Sequence, residues 1–398
     1  MIIDQLTRQF IREHIHDDPR NLALQASRFP DIDMAFALSQ IAGRQAVRDK
    51  LPSWYENEHI IYPVHLSLEQ CSSELTARYK STLVSGSTLA DLTGGFGVDS
   101  ACLSQSFLKT AYVERQKELC ELASVNFQAL NHRNISVHQA DAGEFLSEMA
   151  PVDCIYLDPA RRNMKGQKVH SLSDCEPDIL SVKSLLFDKA PVVLLKLSPM
   201  LDITATIRLL PETREVHVVS VHNECKELLF LLHRDSSVDE YPIISAVNLQ
   251  KGKTDIYSFG FADEADAICS QAHELADYLY EPSASVLKAG AYKSIASAYG
   301  LEKLHPNTHL YTGNECIADF PGRVFRIVNS GRFNKADIRG LLSGIRKANI
   351  TVRNFPATVD ELRKRLKLAD GGDIYLFAAT MYRDEKRLIV CEKVERAI

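Results

Sequence analysis

Three carboxylates and a glycine cluster recur at regular intervals in the first half of this sequence. In LADLTGGFGVDSACLS, residues 89–104, a short apolar run ends at Asp91, and Thr93, Gly94, Gly95 and Gly97 follow before an amphipathic stretch begins near Asp99. Glycine at such a turn permits positive φ and lets backbone N–H groups approach a ligand with no Cβ in the way. A second apolar run ends in Tyr112-Val113-Glu114, 23 residues after Asp91, where a carboxylate can accept two hydrogen bonds from ribose hydroxyls. A third, SVHQA, ends at Asp141-Ala142, with Asp141 placed either to receive the exocyclic amine of an adenine ring or to cap a helix over AGEFLSEM. Three acidic strand ends in succession line one crevice of an open sheet, which favours the ligand role. A nicotinamide dinucleotide would require G-x-G-x-x-G, and counted from Gly95 and Gly97 the third position is Ser100.

A fourth run closes as Asp158-Pro159-Ala160-Arg161-Arg162, and a fifth, VVLLKLS, carries Lys196 and Ser198 near its end. Arg161 and Arg162 could hold a phosphate or stack on a base plane. Lys196 either approaches the target or caps the sheet edge. No thiol follows the fifth run, so a cysteine nucleophile is not in place there, and Cys175 reads as a loop residue. The polar stretch 163–178 is long enough to cover a substrate or to be an ordinary surface loop. His170, His217 and His222 form no metal-ligand spacing with nearby carboxylates, and i and i+5 in a strand face opposite sides.

The elements that must position these side chains follow from periodicity. Residues 1–80 show apolar residues at three-and-four spacing in FIREHI, DIDMAFALSQIAGRQAVRDKL and LEQCSSELTARYKSTL, broken by Pro52 and Pro63. From residue 87 short apolar runs alternate with helix-like segments, which implies a parallel sheet with right-handed crossovers. The last two runs, EVHVVSVH and ELLFLLH, are separated only by NECK and must pair antiparallel. Beyond 236, ISAVNL and IYSFGF predict a strand pair and DEADAICSQAHELADYL a helix. The final stretch then reads strand, helix, strand, helix, strand, strand from GRVFRIV to RLIVCEKV.

Length and composition set outer limits. At 398 residues the chain needs two or three domains, and 45% hydrophobic with 25% charged residues is a globular composition. No apolar run reaches the roughly 18–20 residues that span a bilayer, and no secretory leader pattern opens the chain. Nine cysteines without a CxxC pair suggest reduced thiols and a cytoplasmic setting, with neither zinc nor disulfides. The net charge of −6 conceals an asymmetry: residues 321–368 hold twelve Lys/Arg against three Asp/Glu. Arg323, Arg326, Arg332, Lys335, Arg339, Arg346, Lys347 and Arg353 are candidate phosphate contacts, or else solvated helix faces.

As a set, Asp91, the Thr93-Gly94-Gly95-Phe96-Gly97 turn, Glu114, Asp141 and Asp158-Pro159 resemble the successive motifs of class I methyltransferases that use S-adenosylmethionine (SAM). The resemblance covers roughly residues 70–235. The wording of the first motif, Asp-Pro-Ala-Arg-Arg in the fourth, and a small basic C-terminal α/β domain are similar to a narrower group, bacterial methyltransferases with a THUMP-like C-terminal domain. The resemblance implies a Rossmann-like seven-stranded methyltransferase sheet whose last strand is antiparallel, an N-terminal helical region and a small C-terminal α/β domain. It places SAM on Asp91, Thr93, Gly94, Gly95, Gly97, Glu114, Asp141 and Ala142, with Gln70, Ser73 and Thr76 as secondary candidates for its methionine end. Asp158, Pro159 and Arg161 become the catalytic candidates. Arg162, Lys196, Arg323, Arg326, Arg332 and Lys335 become the substrate contacts.

The group implies RNA as substrate, a tRNA or rRNA base. An aromatic residue usually follows the fourth motif of amino-methylating relatives, and here that position holds Arg161. Transfer to a protein or small molecule, or a non-catalytic RNA-binding protein with a degenerate core, are the alternatives. The expected division is 1–80 helical, 81–236 SAM-binding, 237–320 a small ferredoxin-like linker domain and 321–398 the basic THUMP-like domain.

Overall fold

The computed structural model describes residues 4–63, 65–161, 172, 175–236 and 241–395. They fall into two compact units, Met1–Val216 with Glu227–Glu240, and His217–Lys226 with Tyr241–Ile398.

The first unit begins with six helices: α1 (Gln5–Glu13), α2 (Pro19–Ala23), α3 (Met34–Val47), α4 (Pro52–Glu56), α5 (His65–Gln70) and α6 (Glu74–Ser81). Their starts follow local chemistry. Asp4, Asp33 and Ser73 accept hydrogen bonds from the first-turn amides of Thr7, Phe36 and Thr76, and Pro19 and Pro52 open α2 and α4, where the missing N–H costs nothing. The stretch read as one helix over 68–83 is interrupted after Gln70, because Ser73 caps a fresh start.

There follow β1 (Gly86–Asp91), α7 (Val98–Leu103), β2 (Phe107–Glu114), α8 (Lys117–Ala129), β3 (Ile135–Gln139), α9 (Ala142–Glu148) and β4 (Cys154–Leu157). A two-residue pair, β5 (Ala160–Arg161) and β6 (Cys175–Glu176), precedes α10 (Ile179–Lys189), β7 (Val192–Leu197), α11 (Ile203–Leu209), β8 (Thr213–Val221) and β9 (Glu224–His233). The sheet runs β8-β9-β7-β4-β1-β2-β3. Strands β1, β2, β3, β4 and β7 pair parallel, and β9 lies antiparallel to β7. The parallel strands followed by an antiparallel hairpin are those read from the apolar runs, and the order is the methyltransferase order that the resemblance implies. The central strands β4 and β7 are buried on both faces, which is why they read as unbroken apolar runs. The β8–β9 turn is tighter than NECK suggested: His222 and Asn223, at φ 49° and 66°, form a two-residue connection of the kind whose twist matches the strands.

In the second unit β10 (Ile243–Gln250) pairs antiparallel with β11 (Lys253–Gly260). The hairpin tip His217–Lys226 belongs here, and Ser220 Oγ donates to Val247 O at 3.0 Å. Next come α12 (Phe261–Asp266), β12 (Tyr278–Pro282), α13 (Ala284–Ala289), α14 (Ser294–Ala298), β13 (Glu302–His305), β14 (Thr308–Gly313) and β15 (Gly322–Arg332). The chain closes with α15 (Lys335–Leu341), β16 (Asn349–Arg353), α16 (Val359–Leu366), β17 (Ile374–Thr380) and β18 (Lys386–Lys393). One sheet of order β13-β14-β12-β15-β18-β17-β16 joins them. The final strand, helix, strand, helix, strand, strand series is present as expected. The long helix expected over 263–279 is not: α12 stops at Asp266, and the following backbone pairs with β13, where Ala272 N donates to Lys303 O and Lys303 N to Ser270 O, both at 2.9 Å. Burying Ala272 among Leu279, Leu304 and Phe325 outweighs the helical propensity of the segment. Among the described residues no helix is long and apolar enough to cross a membrane.

Gly322 sits where β12 and β15 begin to pair, and a Cβ there would lie 2.1 Å from the Glu281 carbonyl oxygen and 2.7 Å from the Pro282 Cα. Because both obstacles are backbone, Gly322→Ala is expected to destabilise the second unit by about 1–3 kcal/mol. Urea unfolding followed by tyrosine fluorescence measures it, and an unchanged midpoint would remove the steric argument.

Candidate functional site

The carboxyl ends of β1, β2, β3 and β4 open onto one cleft of about 930 Å³. Thr93, Gly94, Gly95, Gly97, Glu114, Asp141, Ala142, Asp158, Pro159 and Lys196 all line it, as does Gln70. Glu176, Pro177 and Asp178, at the end of the polar loop, line it too; most of 163–174 lies outside the described residues. Arg162 also lies outside them, and of Arg161 only the backbone, in β5, is described.

The glycine turn is held in place by its neighbours. Gly95 and Gly97 adopt φ of +53° and +89°, and a Cβ on Gly94 would fall 2.2 Å from the Tyr112 ring. Gly95 N donates to Glu114 Oε2 at 3.0 Å, Gly94 N to Val113 O at 2.9 Å, and Tyr112 OH to Gly95 O at 2.5 Å. Glu114 takes a further bond from Gln116 N on Oε1 at 2.8 Å. Each of its oxygens therefore has one fixed amide donor and a remaining lone pair, the capacity that a ribose diol requires.

Asp141 performs the capping half of its two expected tasks. Its Oδ1 accepts from Gly143 N at 2.8 Å and Glu144 N at 3.3 Å, while among the described residues Oδ2 has no hydrogen-bond partner. A cap on one oxygen leaves the other available to an amine, so the two readings coexist.

Four sequence candidates stand off the cleft lining. Asp91 is 1% exposed and underlies the turn, accepting from Thr93 N at 3.0 Å and from Ser100 Oγ. Ser73 and Thr76 are spent on the start of α6. Ser198 Oγ accepts from Met200 N at 3.3 Å.

Asp158 and Lys196 meet directly. Lys196 Nζ donates to Asp158 Oδ2, and Asp158 N donates to Thr93 Oγ1 at 2.6 Å, tying the ends of β1, β4 and β7 together. Burial works to lower the Lys196 pKa, but Asp158, Asp99 and Glu227 outweigh it and hold the ammonium above its ordinary range.

Behind this pair lies a network the sequence did not reveal. Lys80, fully buried, reaches both Glu227 oxygens at 2.9 Å, Ser72 Oγ at 3.0 Å and Asp99 Oδ1 at 3.1 Å. Asp99 Oδ2 accepts from Ser72 Oγ and Tyr156 OH, both at 2.7 Å. Burial tends to raise the Asp99 carboxyl, yet the Lys80 and Lys196 ammoniums hold it below the usual range, as a charged group. Available signals were a glutamate and a lysine inside otherwise apolar strands, Glu227 and Lys196, and the Asp99 that closes the glycine motif. Lys80 in LTARYK read as a solvated helix face.

The basic C-terminal candidates divide. Arg323 and Arg353 both pair with buried Glu281, the second at 2.8 Å, and Arg323 also lies over the Phe325 and Tyr375 rings. Arg326 pairs with Glu392 at 2.5 Å and Arg332 with Glu385 at 3.3 Å. Their partners lie outside the 321–368 window, so the charge excess of that window overstates the free positive charge. Among the described residues Lys335, Arg339, Arg346 and Lys347 are exposed without an ion pair.

Burial pushes the Asp91 carboxyl up to about 7. Between about pH 4 and 7 the folded chain then keeps a proton that the unfolded chain has released, so this group's contribution to stability falls as pH rises through that window. Asp91→Asn keeps an acceptor for Thr93 N and gains a donor for Ser100 Oγ without titrating. The stability of wild type relative to D91N is expected to drop from pH 4 to 7, by at most about 1.4 kcal/mol per pH unit. Parallel denaturation curves at pH 4.5 and 7 measure the gap, and a gap independent of pH contradicts the assignment.

Comparison with known proteins agrees with this architecture. Residues 322–393 match the THUMP domain-like family model, 278–321 a ferredoxin-like domain, and 45–175 the protein-L-isoaspartate(D-aspartate) O-methyltransferase model. An uncharacterized S-adenosylmethionine-dependent methyltransferase of Mycobacterium tuberculosis (strain ATCC 25618 / H37Rv) is 22% identical over 312 residues, 76% of this chain and 80% of that one. A crystal structure named as that of a methyltransferase from Porphyromonas gingivalis W83 is 33% identical, covering 99% of this chain and 100% of that chain at a TM-score of 0.88. With that identity across the whole length, on a sheet of the methyltransferase order, the chain belongs to the SAM-dependent methyltransferases that carry a THUMP-like C-terminal domain.

Proposed function

We propose that the chain methylates RNA, with SAM lying along the cleft and a nucleotide presented to Asp158. The observation that carries the cofactor placement is the shared lining: Asp158, the glycine turn, Glu114 and Asp141 border one cavity, in the order their strands take across the sheet. Adenine meets Asp141 and Ala142 over β3, the ribose hydroxyls meet Glu114 at the end of β2, and the methionine end lies over Gly94, Gly95 and Gly97 toward Gln70. Asp91 serves from beneath by fixing Thr93 and Ser100. The sulfonium methyl then faces Asp158 and Pro159. The cofactor supplies the leaving group, and the chain's part is to position the target and exclude water.

RNA as substrate is supported by the THUMP-like match over 322–393 and by Lys335, Arg339, Arg346 and Lys347, whose charges stand exposed to meet phosphate. Arg323, paired with buried Glu281, serves mainly to build that domain, and Arg326 and Arg332 keep only surface ion pairs. Arg161 and Arg162, two and three residues after Pro159 in the sequence, are proposed to extend the same recognition.

Glu114→Ala removes the acceptor for the ribose and is expected to weaken SAM binding by about 10- to 100-fold, the value of one or two charge-assisted hydrogen bonds, by titration calorimetry. Wild-type protein given SAM with a labelled methyl group should transfer label to total RNA from cells lacking the protein. Label in protein or small metabolites and none in RNA would replace RNA with those substrates.

A further inference from the structure

We infer that the atom methylated is a hydroxyl oxygen, the ribose 2′-hydroxyl of an internal nucleotide, with Asp158 taking its proton and Lys196 stabilising the oxygen. The inference rests on the RNA reading above and adds the identity of the acceptor atom.

The argument starts from what each acceptor in RNA demands. An exocyclic amine needs a free hydrogen-bond acceptor for its N–H and a flat surface to hold the extruded base. Lys196 Nζ engages one oxygen of Asp158 and leaves the other open, but Pro159 is followed by Ala160 and Arg161, not by the aromatic ring on which an extruded base would stack. A base carbon needs a thiolate nucleophile. Cys71 borders the cleft, but its Sγ donates to Leu68 O at 3.2 Å and burial pushes the thiol up, away from the thiolate.

An alkyl hydroxyl has the opposite needs. It is a poor nucleophile until its proton begins to leave, so it requires a carboxylate to receive that proton and a cation to stabilise the charge developing on oxygen. Asp158 and Lys196 supply both at one point of the cleft lining. The transfer balances without a further reactant: the O–CH₃ bond forms as the S–CH₃ bond breaks, and the bonding pair goes to sulfur, leaving a neutral thioether. The hydroxyl proton passes to Asp158 and then to solvent. An internal RNA nucleotide has one free hydroxyl, at the 2′ position, so the same chemistry separates RNA from DNA.

The charges behind the pair suit this task. Lys80 and Glu227 do not themselves line the cleft; they are positioning residues, Glu227 holding Lys80 and Lys80 holding Asp99 and Ser72, which do line it. With Asp99 and Glu227 both negative nearby, Lys196 stays an ammonium, a donor to oxygen and not a competing base.

The test uses the full-length protein, methyl-labelled SAM and total RNA from cells lacking the protein, followed by alkaline hydrolysis. A 2′-O-methyl group blocks cleavage at its own phosphodiester, so label is expected in alkali-stable dinucleotides. Label released as base-methylated mononucleotides overturns the hydroxyl assignment while leaving the RNA reading intact. Label absent from RNA overturns the RNA reading and this inference with it. A second measurement keeps the residues accountable: Lys196→Met should slow transfer by at least about 100-fold at saturating SAM and RNA. Transfer by K196M at the wild-type rate overturns the role of Lys196.

Discussion

Burying a lysine completely is tolerable only where carboxylates and hydroxyls surround its ammonium, and the first unit is organised around that requirement. Lys80 comes from a helix that precedes the sheet, Glu227 from its antiparallel strand, Asp99 from the helix after the glycine turn, and Ser72 from the chain between two helices. Residues 147 apart in sequence must converge for the charge to be matched. A chain that assembled the sheet in another order would strand a charge in an apolar interior, at a cost of several kcal/mol. The same convergence carries Asp99 and Ser72 to the cleft wall, so the interaction that specifies the fold also shapes one end of the site.

The glycine turn depends on a second constraint, the depth of Asp91. Placed beneath the turn, this carboxyl binds Thr93 N and the Ser100 hydroxyl, and Thr93 in turn receives Asp158 N. With Lys196 of β7 donating to Asp158, three strand ends thus share one short chain of hydrogen bonds. The cofactor side and the substrate side of the cleft are therefore not independent, since Thr93 belongs to both.

Much of this was legible in the sequence wherever a local rule controls the outcome. The switch from helical to strand periodicity near residue 87 identified the sheet, and the short link between the last two runs identified its antiparallel pair, because the four residues of NECK cannot carry a crossover. Glycine spacing and acidic strand ends located the cleft, since strand ends of a parallel sheet share an edge. What escaped was decided by distant partners. Lys80 and Glu227 reveal themselves only in three dimensions. Arg323 and Arg353 read as free charge because Glu281, which pairs with both, lies some forty and seventy residues earlier in the chain. The helix expected after residue 263 failed for a similar reason, its backbone being claimed by Lys303.

The sheet of the second unit does not respect the point where its two recognisable sequence modules meet. Strand β12 on one side and β15 on the other form adjacent rows of a single ladder, and Phe320-Pro321 merely leads the chain from the end of the first module into β15. Severing the chain there would bare a row of unsatisfied amides and carbonyls on each fragment, both inviting adhesion to foreign strands. The modules are separable as patterns of inheritance and inseparable as matter, so gene fusions or excisions that keep one without the other face a physical barrier that the pattern alone does not disclose.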